Sequence, residues 1–161
     1  MIVVSNTSPI TNLAAVGQLD LLRQLYEKVL IPQAVYGELT GGGGRQPGAI
    51  EVQTLEWIET RPVADRVLVT ALQMELDEGE AEAIALAKEL AADLLLLDER
   101  RDRAVASRLD LQFIGLLGVL IEAKQKGCLP AVKLVLDDLV AKAGFWVSQQ
   151  LYACVLQTAG E

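Results

Sequence analysis

Four consecutive leucines, Leu94 to Leu97, stopped abruptly by Asp98, constrain the fold of this chain more than any other stretch. A half-buried strand alternates apolar and polar residues. A short unbroken apolar run instead marks a strand covered on both faces, as in a parallel sheet between helix layers. A buried helix segment is the competing reading; the shortness of the run and its acidic stop favour the strand. Open α/β sheets place their chemistry at the carboxyl ends of the strands, and Asp98 is the first polar side chain at that end.

The rest of the chain alternates in the same idiom. Ile2-Val3-Val4-Ser5 and Val29-Leu30-Ile31 read as buried strands, Trp57 to Val63 as a short strand broken by Pro62, and Leu111 to Ile114 as the last strand. Thr7-Ser8-Pro9 reads as a helix start, with a hydroxyl cap and proline in the first turn, ending at Gly17. Further helices are expected through Leu19 to Tyr26, after Pro32, from Ala64 to Glu75, from Asp77 to Leu90, from Glu99 to Leu109, from Leu116 to Lys126, from Pro130 to Ala143 and after Ser148. This alternation predicts one α/β domain over residues 1–161, a three-layer α/β/α sandwich around a central parallel sheet, with the helices of 130–158 packed on it. Gly43 to Gly48 has the spacing of a phosphate loop, but Ala49 and Ile50 follow where Lys and Ser/Thr are required, so Gly41 to Gly48 reads as a linker.

The chain has no histidine. Serine–histidine triads, HExxH zinc sites and histidine-based ribonuclease chemistry are therefore excluded. Cys128 and Cys154 have neither metal-ligand spacing nor the look of a disulfide framework. Any bound metal must rest on oxygen, which selects Mg²⁺, Mn²⁺ or Ca²⁺. A net charge of −8 argues against a general nucleic-acid coat, though not against a local basic track. Aromatic residues make up 4% of the chain, too few for the stacking platforms of common single-strand RNA modules. No apolar run approaches the length of a membrane span, and Met1-Ile2-Val3-Val4 lacks the marks of a signal peptide. A cytoplasmic location is expected.

Four side chains fall at comparable places. Asn6 and Asp98 each end a buried strand, Glu38 lies on the helix after the second strand, and Glu80 opens the helix leading into the leucine strand. Residues 80, 84, 87 and 91 share one helix face, so Glu80 is expected to top the face that packs on the sheet, with Glu82 turned to solvent. Carboxylates converging on one crevice repel each other, and a divalent cation relieves that repulsion. Phosphodiester hydrolysis is the natural chemistry for such a cleft. Each residue also has a plain structural reading. Asp77-x-x-Glu80 is a capping box; Asp98 could cap the helix that follows; Glu38 could be a surface acid and Asn6 a turn residue. Arg100, Arg101, Arg103 and Arg108 read either as a solvated face pairing with Glu99 and Asp102 or as contacts for a phosphate backbone.

Val3-Val4-Ser5-Asn6-Thr7-Ser8-Pro9 resembles the opening of PIN-domain proteins. So do Ile31 to Leu39, Leu76 to Ala87 and Leu96 to Arg100, in the same order, within residues 2–125. The likeness is to a prokaryotic branch related to the VapC toxins of toxin–antitoxin pairs. It implies an α/β/α sandwich and a Mg²⁺- or Mn²⁺-dependent endoribonuclease with catalytic and metal-binding residues at Asn6, Glu38, Glu80 and Asp98. Asp102, one helical turn past Asp98, is a candidate supplementary acid, and Arg100, Arg101 and Arg103 are candidate RNA contacts. The first acid, usually aspartate, is Asn6 here; an amide oxygen can ligate a metal but brings no charge. The expected partners are RNA, a small antitoxin and a second copy of the chain, the last suggested by apolar positions on the Leu116–Lys126 helix that core packing explains equally well. The alternatives are a catalytically silent PIN fold used as a binding module and a flavodoxin-like phospho-acceptor. The latter needs paired acids after the first strand, where Ser5-Asn6-Thr7 has none.

Overall fold

A computed structural model describes residues 1–161. Five strands, β1 (Val3–Ser5), β2 (Val29–Pro32), β3 (Ile58–Arg61), β4 (Leu94–Leu96) and β5 (Phe113–Ile114), form one sheet in the order β3-β2-β1-β4-β5. Every pairing is parallel, with Val4 opposite Leu30 on one side and Leu95 on the other. Ten helices connect and cover them: α1 (Thr7–Ala15), α2 (Asp20–Tyr26), α3 (Gln33–Thr40), α4 (Ala49–Thr54), α5 (Arg66–Leu72), α6 (Glu78–Glu89), α7 (Arg100–Arg108), α8 (Leu116–Gln125), α9 (Val132–Lys142) and α10 (Gln149–Thr158).

The leucine run is a strand buried on both faces. Leu96 joins Val3, Val29 and Ile31 in the core on one face of the sheet, packed with α1, α2, α3, α8, α9 and Val155 of α10. Leu95 and Leu97 join Val4 and Leu30 in the core on the other face, with α5, α6 and α7. The strand's period of two survives, but each face meets a helix layer, so no polar residue is tolerated on either. The apolar positions of α8 are accounted for by this packing: Leu116, Val119, Leu120 and Ala123 are buried, and Leu117 and Ile121 lie against them.

Several local expectations are corrected. Asn6, not Thr7, occupies the N-cap position of α1, and its side chain makes no capping bond. The segment before β3 holds an unexpected short helix, α4. Its start at Gly48 lies at φ +96°, and a Cβ there would press on Leu39 and Ile10, so the linker glycine is also a packing requirement. The largest correction concerns α6, which has no solvent face over most of its length: Gly79 to Ala87 are all buried. The alanines at 81, 83, 85 and 87 let it lie close to the sheet, α3 and α5 at once. Glu82 is accordingly buried, not solvated, whereas Ala91, expected on the packed face, lies beyond the helix at φ +49° and is exposed.

Candidate functional site

Parallel strands point their carboxyl ends the same way, so β1 and β4 deliver Asn6 and Asp98 to one edge of the sheet. Asn6 is 6% exposed, and the backbone is held there by its N–H donating to the Leu96 carbonyl at 3.2 Å. With no capping duty, its amide is available to the cleft it lines. That cleft, about 230 Å³, is walled by Asn6, Thr7, Ser8, Thr11, Asn12, Glu38, Asp77, Glu80 and Glu99, without one apolar residue.

Each acid is oriented through one oxygen. Glu80 closes the capping box: its Oε1 accepts from the Asp77 N–H at 2.9 Å, while its own N–H donates to Asp77 Oδ1 at 2.8 Å. The plain reading of that motif is therefore correct and coexists with a place in the cleft. Glu38 reaches the cleft from the last turn of α3, where Thr7 Oγ1 donates to its Oε2 at 2.6 Å. Its approach depends on Gly79, since a Cβ at that position would overlap the Glu38 carboxylate. Desolvation raises the Glu38 pKa, against the lowering effect of Thr7, and the charges of Asp77, Glu80 and Glu78 add to the rise.

Asp98 caps a helix, but not the expected one. Its Oδ1 accepts from the Leu116 N–H at 2.7 Å, at the start of α8, while α7 follows Glu99, whose side chain makes no capping bond. Its Oδ2 is buried and has no partner. Ser8 Oγ, also buried, lies beside the same carboxylate and favours its ionised form. Burial pushes the Asp98 carboxyl up; the Leu116 N–H, Arg103 and the Ser8 hydroxyl oppose that rise. Asp98 borders a second cavity next to the acidic cleft and is absent from the walls of the first.

Asp102, in the first turn of α7, is fully buried, and neither of its oxygens has a hydrogen-bond donor. Burial, then the adjoining Glu80 carboxylate, then the charges of Glu99 and Asp77 push its carboxyl up to about 8. Its arginine neighbours do not pair with Glu99 and Asp102 as a solvated face would. Arg101 lies 3.6 Å from Glu80, Arg108 bonds Glu75, and Arg103 turns inward, its Nε donating to the Leu97 carbonyl at 3.1 Å.

Thr7, Ser8, Thr11, Asn12, Asp77 and Glu99 are cleft residues that the sequence reading left out. Ser8, Thr11 and Asn12 stand at i, i+3 and i+4, a spacing that places them on one helix face and could have marked them.

A family model for DUF3368, described as a PIN domain, matches residues 2–161. The chain belongs to the PIN-domain family. No curated protein matches it. The PIN domain is a nuclease-type fold whose members generally use divalent metals, and the all-parallel five-stranded sheet of this chain agrees with that architecture.

Whether a divalent ion suits this PIN domain is a matter of donors and their arrangement. The donors are all oxygen, as Mg²⁺ and Mn²⁺ prefer. No three carboxylates or thiols of the chain converge as a ready-made cage. Mg²⁺ needs none, since it is commonly held by one or two carboxylates and retains several waters. The orphaned Asp98 Oδ2 and the raised Glu38 and Asp98 carboxyls are groups short of positive charge. The residues fit such an ion.

Proposed function

We propose that this PIN domain is a divalent-metal-dependent endoribonuclease acting on single-stranded RNA. The reading is carried by Asp98 Oδ2, a buried carboxylate oxygen without a partner, at the carboxyl edge of a parallel sheet beside a wholly polar cleft. One or two of the carboxylates of Glu38, Glu80 and Asp98, with the Asn6 amide beside them, would hold Mg²⁺ or Mn²⁺. When bound, such an ion lowers the pKa of water and draws charge from a phosphoryl oxygen. The chain supplies orientation. Thr7, the Asp77 N–H and the Leu116 N–H each fix one oxygen of Glu38, Glu80 and Asp98, respectively. The hydroxyls of Ser8 and Thr11 and the Asn12 amide offer donors to phosphate or ribose oxygens entering the cleft. Of the arginines past Asp98, Arg100 and Arg101 are exposed and suited to a phosphate backbone; Arg103 has structural bonds to satisfy first. A small antitoxin as partner goes with the likeness to the VapC toxins.

Purified protein incubated with single-stranded RNA and Mn²⁺ is expected to cleave it; chelation abolishes cleavage, and so does Asp98→Ala. Equal cleavage by wild type and Asp98→Ala would mean that the activity is not this site's.

One observation favours a second reading, a silent binding module: Asn6 gives the cleft no charge where the family usually has aspartate. The two readings part on Asn6→Asp. In a metal site the added carboxylate tightens Mn²⁺ binding by about tenfold, in line with the dependence of hard-ion affinity on ligand charge. Calorimetry showing unchanged or weaker binding would put Asn6 outside the metal shell.

A further inference from the structure

The second cavity beside Asp98, about 550 Å³, is walled by Arg103 of α7, Phe113 to Gly115, and Phe145, Trp146, Leu151 and Val155. The chain has only two phenylalanines and two tryptophans; both phenylalanines and one tryptophan meet here, from segments far apart in sequence. Trp146 is 82% exposed. An indole left that open contributes little to the core. The Arg103 guanidinium lies over the Phe113 ring at 5.8 Å, and its Nη2 stands 3.9 Å from Asp98 Oδ1. Gly115 makes room for that arrangement, because a Cβ there would overlap Arg103. The cavity therefore offers flat π faces and a planar cation, and one wall is the acid placed nearest the chemistry. Its size falls in the range of about 300–1,000 Å³ typical of small-molecule sites. An apolar helix would meet both Arg103 and Asp98 in the wall. A planar ring on a phosphate backbone would stack on the former's plane and leave its phosphate at the latter.

We propose that this cavity seats one base of the single-stranded RNA whose backbone enters the acidic cleft, with Asp98 standing between base and phosphate. The inference rests on the nuclease reading and adds a nucleobase subsite to it. Stacking of this kind is sequence-tolerant, because every base has a π face, so the subsite contributes affinity and register rather than a sequence code.

The test uses the full chain with Trp57→Phe, so that Trp146 is the only indole. Short oligouridylate is titrated in Ca²⁺, beside the same oligomer lacking its bases, and cleavage in Mn²⁺ is followed in parallel. Oligouridylate is expected to quench Trp146, and the abasic oligomer is not. By calorimetry, since neither variant keeps an indole, Trp146→Ala should bind oligouridylate about tenfold more weakly and the abasic oligomer as wild type does, and Trp146→Phe should restore most of the loss. If Trp146→Ala binds both oligomers like wild type while Mn²⁺-dependent cleavage persists, the subsite is wrong and the nuclease reading stands. If the wild-type chain neither binds nor cleaves RNA, both fall together.

Discussion

Asp102→Asn is expected to stabilise the protein at high pH and to leave it unchanged at low pH. Asp102 is fully buried, both oxygens lack a donor, and Glu80 adjoins it. Its carboxyl is raised to about 8, whereas in the unfolded chain an aspartate titrates near 3.9. The folded state therefore holds a proton that the unfolded state has released. The stability this group allows is fully present below about pH 4 and is lost as pH rises through about 8, where an ionised carboxylate must be kept without solvent or partner. An asparagine does not titrate, and its amide can donate to Glu80 as the protonated acid does. Each unit of difference corresponds to about 1.4 kcal/mol. Because Asp102 and Glu80 lie against each other and their charges interact, we expect a gain of about 2–4 kcal/mol near pH 9 rather than the full sum. For a chain of this size that is a rise in Tm of about 5–15 °C. Thermal melts of both proteins in chelator, from about pH 4 to about pH 9, check it. A difference in Tm that does not grow with pH would mean that Asp102 is ionised and satisfied throughout.

The second large effect is predicted for Glu82, the acid that sequence periodicity assigns to solvent. Its side chain is 5% exposed. Oε1 accepts from the Ala34 N–H at 3.0 Å and Oε2 from Arg66 Nη1 at 2.8 Å. The first bond matters most. α3 starts after Pro32, which makes no side-chain capping bond, so Glu82 of α6 supplies the anion at that helix start from another element. It thereby holds α3, which carries Glu38, in register with α6, which carries Glu80. Glu82→Ala leaves a partly buried N–H without its acceptor, at a cost of about 2–4 kcal/mol. Arg66 is half exposed and adds little to that, its pair being screened by water. The expected fall in Tm is about 5–15 °C. Glu82→Gln keeps an acceptor for Ala34 and should lose less than half as much. A Glu82→Ala protein as stable as wild type would return Glu82 to the role of a surface acid.

The contrast between these two acids and the leucine run shows what was legible. An uninterrupted apolar stretch ended by an acid has one economical meaning, so β4, its burial between two helix layers and the exit of Asp98 could be read directly. Asn6, Glu38 and Glu80 could be placed at a strand end, on a helix and at a helix start, and one of them keeps a local duty: Glu80 closes its capping box, whereas Asn6 stands at the N-cap position of α1 without a capping bond. Burial of Glu82 and Asp102 could not be read. Both look like ordinary charged positions on helices, and what hides them is a neighbour from elsewhere in the chain. α6 is enclosed on all sides, so a single-face reading fails for it, although its alternating alanines are the trace of that enclosure. Gly79 is equally silent as a letter; its necessity appears only once Glu38 is seen against it. The gathering of Phe113, Phe145 and Trp146 needs the connection between α9 and α10 to come back beside β5 as α10 packs on α8, which no local pattern specifies.

Diffraction from crystals soaked in Mn²⁺, with the anomalous signal located, tests the central claim most directly. An ion is expected at the carboxyl edge of the sheet, in contact with Asp98 Oδ2 and with Glu80 or Glu38. A soaked crystal with no ion there, or with Mn²⁺ bound only at a remote surface carboxylate, would contradict it.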